Sequence, residues 1–420
     1  MRGVLGGNAG SFFDGVLTTC ASQVGQIMLT LPNAIAKTGL IAGLFLAVSS
    51  ACMSLWTMYM LITLYLERKR QLIQKGLWFD ANGKRAIITQ YHEVIGSLLG
   101  MWAQIIVQIV IIISLVGTSF AQIVACASDV YYYDSSKTKR EWTLIWGGIS
   151  MMAILLPTLR HFRVVNIVAL IGTTYTTWFI VAAAAKHGIT PGAASRGPQN
   201  LQGFYVGASV LFSAFGGHAM AMEIMDAMWV PAKYSKAYLA SFFYIFVLTL
   251  PHSISVQLAY PDANLQNGMC MGAPLYYMWE KLLHVHSKSL WLRIPLRLPV
   301  ALFVWFLAIA FPFYGNINSI IGAINSPAIA FIFPCLAYSW VYRTPQARAS
   351  CTLLPPNFMR KWDWAPIFVL NLFIVLWFLV NGVGFGIAYS TIQIVDDVKT
   401  FHVFAECYQC PAKSALSGSG

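Results

Sequence analysis

Two apolar stretches of this chain carry glycine and polar residues where a membrane-spanning helix would normally be uninterrupted. The first contains Ser22-Gln23-Val24-Gly25-Gln26, and the second contains Phe215-Gly216-Gly217-His218. Peptide groups freed by a break in a bilayer are tolerated only where protein or a water-filled cavity covers them, and paired breaks mark the central sites of many secondary transporters. Glycines in such stretches can instead serve only to let helices pack closely. If the breaks form a site, the residues expected to contact a ligand are Ser22, Gln23, Gly25, Gln26, Gly216, Gly217 and His218.

His218 is also the main candidate for proton coupling. It lies far from either end of its apolar stretch, where ionisable residues are usually functional. An imidazole with an unperturbed pKa of about 6.5 can change charge between an acidic exterior and a neutral cytoplasm. The alternative is a neutral histidine that is hydrogen-bonded between two helices.

Three further candidates have open alternatives. Glu223 is a candidate for proton coupling, but together with Asp226 it approaches a basic segment and could equally form a gate or a structural ion pair. Asp134, after the third span, could attract protons or cations at the outer mouth, although an aromatic belt at the interface also explains this region. Tyr175 could line a cavity, although threonine-rich stretches such as the one around it more often join helices.

The composition excludes a water-soluble enzyme of this size. Of the 420 residues, 58% are apolar and only 10% are charged, whereas soluble domains carry about a quarter charged residues. Each helical span takes roughly 20 apolar residues, so the chain suits roughly ten to twelve spans. The sequence contains no phosphate-binding loop, paired-carboxylate site or metal-ligand cluster. We therefore expect no enzyme activity, no cofactor, no metal and no ATP-driven pump.

The order of the apolar runs predicts an all-α polytopic membrane protein with about eleven helices, the eighth of which, at 268–283, is too short. If this short run crosses, 19 of the 27 basic residues lie in the cytoplasm, and the positive-inside rule favours that arrangement. The net charge of +12 then reflects loops that face the lipid bilayer and not a nucleic-acid surface. A helix at 87–99 is expected at the interface. The ten full runs are 16–36, 41–66, 101–130, 142–159, 164–185, 204–228, 238–259, 298–316, 319–341 and 364–389.

We expect one permease domain over residues 1–420, with a cytoplasmic N-terminus. Its core helices lie at about 16–341 and its eleventh helix at about 364–389, and an extracellular tail follows at 390–420. The first and sixth spans correspond in a five-plus-five inverted repeat, which would place the two breaks at equivalent positions.

Several motifs along the chain resemble those of the plant auxin influx carriers (AUX/LAX), a branch of the amino acid/auxin permease family. The resemblance implies an eleven-helix permease with a LeuT-like core that imports indole-3-acetic acid with protons across the plasma membrane. It also implies that His218 matches a histidine essential to the family. The motifs include Cys20-Ala21-Ser22-Gln23-Val24, Gln122-Ile123-Val124-Ala125-Cys126-Ala127-Ser128, Phe215-Gly216-Gly217-His218-Ala219, Ile317-Asn318-Ser319 and Cys407-Tyr408-Gln409-Cys410.

The chain departs from the family pattern near the predicted site and in the eighth helix. Val210 and Ser213 replace polar or aromatic family residues, and the family's Asn-Asp pair at the outer mouth reads Asp134-Ser135. Much of the family's seventh-to-eighth loop and the outer half of its eighth helix are absent between Tyr260 and Met271. These departures leave two alternatives: a proton-coupled importer of aromatic or neutral amino acids, and a non-transporting truncated paralogue or mis-spliced gene model.

Overall fold

The computed structural model describes residues 11–24, 27–78, 89–152, 163–198, 200–260, 290–356 and 364–406. Within these ranges the regular secondary structure is helical. Two π-helical segments, Ser326–Ile332 and Leu379–Gly386, join α12 to α13 and α15 to α16. The helices, numbered in chain order, are α1 (Phe12–Val24), α2 (Ile27–Thr38), α3 (Leu40–Gln74), α4 (Tyr91–Leu99), α5 (Met101–Tyr133), α6 (Lys139–Ser150), α7 (Arg163–His187), α8 (Leu201–Ser213), α9 (His218–Ala227), α10 (Tyr234–Ala259), α11 (Leu290–Ala310), α12 (Tyr314–Asn325), α13 (Phe333–Val341), α14 (Pro345–Ala349), α15 (Ala365–Phe378) and α16 (Ile387–Phe401).

Helices long and apolar enough to cross a membrane confirm that the chain is an all-α polytopic membrane protein. The number of spans stays a prediction, because the short run at 268–283 lies outside the described residues. Within the described ranges there are seven such stretches: Leu40–Gln74, Met101–Tyr131, Asn166–His187, Leu201–Ala227, Pro231–Ala259, Gly315–Val341 and Ala365–Phe401.

Several predicted span ends differ from the ends of the helices. The ninth span was predicted to end at residue 316, but α11 ends at Ala310 and α12 begins at Tyr314. Pro312 lies between them, and proline lacks the N–H that a continuous helix needs. The eleventh span was predicted to end at residue 389, but its helix continues to Phe401. Polar residues there extend the helix beyond the apolar run, and Gln393 donates a hydrogen bond to Asp397 one turn away.

The helix predicted to lie at the interface over 87–99 is packed within the protein. It begins at Tyr91, where the Glu93 carboxylate accepts a 3.0 Å hydrogen bond from the Gln90 backbone N–H. The side chains of Tyr91, Val94 and Ile95 are almost completely buried. The Tyr91 hydroxyl donates a 2.6 Å hydrogen bond to the Ile329 carbonyl in the first π segment. A π-helical turn disrupts the normal backbone hydrogen bonds, and this tyrosine supplies a donor there.

The chain divides into two compact units, each described here by itself. The first comprises Met1–Ser114, Thr158–Leu265 and Ser319–Ser390, and it contains both predicted breaks. The second comprises Leu115–Pro157, Gln266–Asn318 and Thr391–Gly420.

In the second unit, aromatic and backbone contacts join α6, α11 and the segment after α16. The Trp305 ring lies so close to Gly147 that no Cβ would fit there. The backbone N–H of Phe404 donates a 3.0 Å hydrogen bond to the Ala310 carbonyl, and the Phe404 ring contacts that of Phe306.

In the first unit, α2 and α8 approach each other closely at a glycine. The Asn200 side chain caps α8 by accepting a hydrogen bond from the Gly203 N–H. A Cβ at Gly207 would lie 2.7 Å from the Ala34 carbonyl oxygen and 3.0 Å from the Thr38 side chain. Small residues permit such backbone approach in membrane proteins. This contact joins the helix after the first predicted break to the helix before the second.

We predict that Gly207→Ala destabilises the protein by about 1–3 kcal/mol, because the new methyl group meets a backbone oxygen that cannot rotate away. The matched control is Gly172→Ala on α7, where a Cβ would meet no atom within 4 Å. There the better helix propensity of alanine leaves stability unchanged or slightly raised. Thermal unfolding of the detergent-solubilised variants measures the difference, and equal melting temperatures would contradict the predicted contact.

Candidate functional site

The second predicted break is present: α8 ends at Ser213 and α9 begins at His218. Neighbouring side chains bind the carbonyl that the break releases. The Ser54 hydroxyl on α3 donates a 2.7 Å hydrogen bond to the Phe215 carbonyl. The Tyr238 hydroxyl on α10 lies 3.0 Å from the Ser54 hydroxyl and 3.5 Å from the same carbonyl. The break is therefore covered by protein at this carbonyl, as a bilayer requires.

His218 is completely buried at the first position of α9. Its Nε2 atom lies 2.9 Å from the Thr57 hydroxyl on α3. Its Nδ1 atom is buried and has no hydrogen-bond partner in the part of the chain that the structure describes. The rings of Tyr238 and Phe331 lie 6.4 and 6.2 Å from the imidazole. The histidine thus has one satisfied nitrogen and one nitrogen open to a proton or ligand.

Gln23 at the end of α1 lies directly on Gly217, so the two predicted breaks meet at this pair. A Cβ at Gly217 would collide with the Gln23 amide. The Gln23 side chain is only 5% exposed, and neither its nitrogen nor its oxygen hydrogen-bonds to any described residue. The Gln23 side chain interacts with the nearby Tyr238 hydroxyl, but without the geometry of a normal hydrogen bond. A buried amide without partners costs free energy unless a ligand or water satisfies it.

The first π segment lies against the same break. A Cβ at Gly216 would lie 2.9 Å from the Ser326 hydroxyl, which begins that segment. Further along the segment, the Phe331 ring stacks on Phe378 at 3.7 Å with an interplanar angle of 7°. π-helical turns are frequent at functional sites. The described groups around the break therefore come from α1, α3, α10 and the segment Ser326–Ile332.

Comparison with known proteins assigns the chain to a family. The family model for "Transmembrane amino acid transporter protein" matches residues 8–267 and 270–393. Auxin transporter protein 1 of Arabidopsis thaliana is 35% identical over 97% of this chain and 89% of its own length. Auxin transporter-like protein 3 of Oryza sativa subsp. japonica is 36% identical over 98% of this chain and 80% of its own. The chain belongs to the AUX/LAX branch of the amino acid permeases.

The family shows that the chain is a transmembrane transporter and not an enzyme. The family match is interrupted between residues 267 and 270. That position falls in the region where the sequence predicts the AUX/LAX eighth helix to be shortened, and it lies outside the described residues.

Of the other first-span residues predicted to contact a ligand, Ser22 is described, and it is not among the groups around this candidate site. Ser22 is exposed, and its hydroxyl donates a 2.9 Å hydrogen bond to the Thr19 carbonyl of its own helix. Because neighbouring residues on a helix point in different directions, burial of Gln23 leaves Ser22 facing outward. Gly25 and Gln26 lie outside the described residues.

The structure speaks against Tyr175 as a cavity-lining residue. Its side chain is 71% exposed and stacks on Phe179, which is also exposed. The neighbouring Thr174 lies instead within hydrogen-bonding distance of Tyr244 on α10, and Thr177 is buried. The threonine face of α7 therefore packs against the protein, and Tyr175 lies on the apolar face that a membrane helix presents to lipid.

The two acidic residues of α9 differ in their surroundings. Asp226 is buried and accepts hydrogen bonds from the Tyr65 hydroxyl at 3.1 Å and the Thr89 N–H at 3.4 Å. These bonds join α9 to α3 and to the segment before α4, which is a structural role. Glu223 follows His218 by five residues, roughly 7 Å along the helix axis. It is half-buried near Tyr234, so its proton-coupling role stays a prediction.

Asp134 lies in the second unit, in the turn after α5. Its carboxylate accepts a 2.9 Å hydrogen bond from the Ser136 N–H, and this bond lowers the pKa of Asp134 below its ordinary value. The charged form is therefore favoured, which suits attraction of cations better than uptake of a proton. At the start of α6, burial lowers the pKa of Lys139 to about 8, and nearby Asp129 opposes this shift.

The sequence analysis missed Ser54, Thr57, Tyr238 and Ser326. Ser54 and Thr57 lie three residues apart on one face of α3, within an otherwise apolar run. That pairing was a detectable signal, but serine and threonine in membrane helices often bond only to their own backbone. Tyr238 and Ser326 carried no local signal, because only the tertiary packing brings them to the break.

We predict that Gly217→Ala impairs transport by displacing the Gln23 amide, not by unfolding the protein, since a glutamine side chain can move away. The Gly217 backbone has a φ of −65°, which alanine adopts without strain. Substrate uptake by Gly217→Ala, Gln23→Ala and the double variant measures the coupling. The double variant should transport no worse than Gln23→Ala alone. Strictly multiplicative losses would show that Gly217 acts independently of Gln23.

Proposed function

We propose that this permease is a proton-coupled secondary transporter that imports auxin, indole-3-acetic acid, or a related aromatic acid across the plasma membrane. The observation that carries the proposal is the contact between Gln23, near the end of α1, and Gly217 at the second break, where Gln23 and His218 offer buried polar atoms without partners among the described residues. The names of the full-length relatives, which are auxin transporters, support the choice of substrate.

A carboxylate fits the chemistry of this break. The first N–H groups of a helix have no intrahelical acceptor, and the helix dipole makes that end positive. The N-cap of α9 is Gly217, which supplies no side chain to bind these groups. The Gln23 amide adds a donor from the opposite break. An acid bound here would replace several missing hydrogen bonds, while the neighbouring Tyr238 and Phe331 rings provide the apolar and aromatic surroundings that an indole requires.

His218 is the residue we propose to carry the coupling proton. It lies at the same helix end as the proposed carboxylate position, so loading of a proton and binding of an anion would favour each other electrostatically. In a five-plus-five inverted repeat, movement of the helices around a fixed site would expose it first to the exterior and then to the cytoplasm. We further propose a cytoplasmic N-terminus, on the basis of the basic residues in the predicted cytoplasmic loops.

We predict saturable uptake of radiolabelled indole-3-acetic acid by cells that express the chain, faster in acidic than in neutral external buffer and abolished by a protonophore. His218→Ala should reduce this uptake at least tenfold, since one positioned proton-transfer group is worth that much or more. The control is His187→Ala, which removes an exposed histidine at the end of α7. Both variants must reach the cell surface in similar amounts. Equal uptake by His218→Ala and the wild type would exclude His218 as the coupling residue.

A second candidate function is proton-coupled import of aromatic or neutral amino acids. The family model describes amino acid transporters, and Val210 and Ser213, close to the break on α8, differ from the AUX/LAX pattern. Competition experiments separate the two functions. Stronger inhibition of uptake by unlabelled tryptophan than by unlabelled indole-3-acetic acid would favour the amino acid, and the opposite order would favour the auxin.

We predict that Asp134→Asn leaves the pH dependence of uptake unchanged. The Ser136 N–H lowers the pKa of Asp134, so the carboxylate loses its charge only below its ordinary range of about 4. It therefore stays ionised throughout a mildly acidic titration and cannot produce a transition there. The curves of uptake against external pH should superimpose for the variant and the wild type once each is scaled for its expression level. A displaced midpoint would show that Asp134 takes part in proton loading.

A further inference from the structure

The Thr57 hydroxyl is shared between the His218 imidazole and the backbone of its own helix. Thr57 Oγ1 lies 2.9 Å from His218 Nε2, 3.0 Å from the Met53 carbonyl oxygen and 3.2 Å from the Ser54 carbonyl oxygen. A hydroxyl carries one proton to donate and two lone pairs to accept with. A carbonyl oxygen can only accept, so both backbone contacts require Thr57 to be the donor.

These constraints select one tautomer of the neutral histidine. If Thr57 donates to its own backbone, the contact to His218 is satisfied only when Nε2 carries a hydrogen and donates it to Thr57 Oγ1. If Nδ1 carried the hydrogen instead, Thr57 would have to donate to Nε2 and would lose its backbone bond. The Nδ1 hydrogen would then be a buried donor without a partner, which is a costly arrangement.

We infer that Thr57 is a positioning residue that holds neutral His218 as the Nε2–H tautomer, so that Nδ1 is the atom that accepts the transported proton. Nδ1 has no partner among the described residues, so its lone pair is open. The proton-loading part of this inference rests on the proposed proton-coupled function, whereas the tautomer follows from the hydrogen bonds alone.

The loading step forms one bond and breaks one. A proton leaves a hydronium ion from the external solution, which becomes water, and the Nδ1 lone pair forms an N–H bond. The resulting imidazolium keeps the hydrogen bond from Nε2–H to the Thr57 hydroxyl. It also gains an Nδ1–H group, which can donate a hydrogen bond to a ligand carboxylate. Release to the cytoplasm transfers the Nδ1 proton to a water molecule, which becomes hydronium, and returns the original tautomer.

Within the described part of the chain, few other titratable groups surround the imidazole. Tyr238 on α10 is the one whose ring contacts His218, and Tyr234 packs on Tyr238. On its own helix the nearest is Glu223, which lies near Tyr234, and on α1 it is Cys20, which also lies close to Tyr234. Thr57 and Ser54 on α3, and Phe331 in the π segment, carry no charge. Among these groups the imidazole is the one whose unperturbed pKa, about 6.5, lies between acidic and neutral pH.

Transport measurements test the role of Thr57. Thr57→Val keeps the shape but removes the hydroxyl, and it should lower uptake in acidic buffer by about tenfold, because a hydrogen bond to a charged group is lost. It should also move half-maximal uptake to more acidic pH. The reason is that loss of the Thr57 hydroxyl removes more stabilisation from the doubly protonated ring than from the neutral ring. Thr57→Ser should restore most of both properties.

The matched control is Thr63→Val on the same helix. Thr63 is equally buried and bonds to the Tyr59 carbonyl at 2.9 Å, but among the described residues it has no bond to His218. It should transport as the wild type does. If Thr57→Val matches Thr63→Val, or if Thr57→Ser is as defective as Thr57→Val, the positioning role is overturned.

A spectroscopic measurement separates this inference from the proposed function. Nitrogen NMR of protein with 15N-labelled histidine rings, assigned by comparison with His218→Ala, should show neutral His218 with hydrogen on Nε2 and a bare Nδ1. In Thr57→Val this preference should weaken or reverse, while thermal unfolding shows that the variant is folded. A bare Nε2 in the wild type would overturn the inference even if uptake is proton-coupled. Uptake that is independent of pH, with the tautomer as inferred, would overturn the proposed function alone.

Discussion

The requirement that a broken helix satisfy its own peptide groups within a bilayer determines the structure around the site. At the second break the released Phe215 carbonyl cannot reach water in hydrocarbon, and an unpaired carbonyl there would cost several kcal/mol. Ser54 supplies the donor at 2.7 Å, and Tyr238 lies beside both groups. The break therefore fixes which faces of α3 and α10 must point toward it. The position of His218, one residue beyond the break, follows from the same constraint.

The same helix face serves both the backbone and the imidazole. Ser54 and Thr57 lie one turn apart on α3, and the first binds the freed carbonyl while the second lies 2.9 Å from His218. A shift of α3 along its axis would disturb both contacts together. A second irregularity lies against this arrangement, because the π segment that begins at Ser326 also places the Ile329 carbonyl where Tyr91 binds it. The irregular backbone near the site is thus held by specific side-chain donors and not by hydrocarbon packing alone.

Apolar run lengths predicted the membrane class and most spans, because roughly 20 apolar residues are both necessary and recognisable. They failed where the helix and the apolar run have different ends. Pro312 ends α11 before its apolar run ends, and the polar residues beyond 389 continue the last helix outside it. The break at Gly216-Gly217 and the burial of His218 were predictable, because such residues are unusual in a span. Ser54, Thr57 and Tyr238 were not, because residues of these types are common in spans and acquire a role only through contacts between distant helices. Tyr175 lies on the exposed face of α7, and the sequence around it does not show which face of that helix is buried.

The sequence offered two explanations for its glycines, and close helix packing accounts for Gly207 and Gly322, whereas the proposed binding site lies at Gly217. At Gly207 and Gly322 a Cβ would meet the backbone carbonyls of Ala34 and Ser209, and neither contact involves a residue with chemistry to perform. At Gly217 the atom in the way belongs to the Gln23 amide, a buried polar group that makes no hydrogen bond to the described residues. Close packing alone explains a glycine when the neighbouring polar group has its hydrogen bonds. A neighbour without them adds a free-energy cost to the packed state. The contact at Gly217 therefore has a cost that packing alone does not explain, and a ligand that bonds to the amide would remove it.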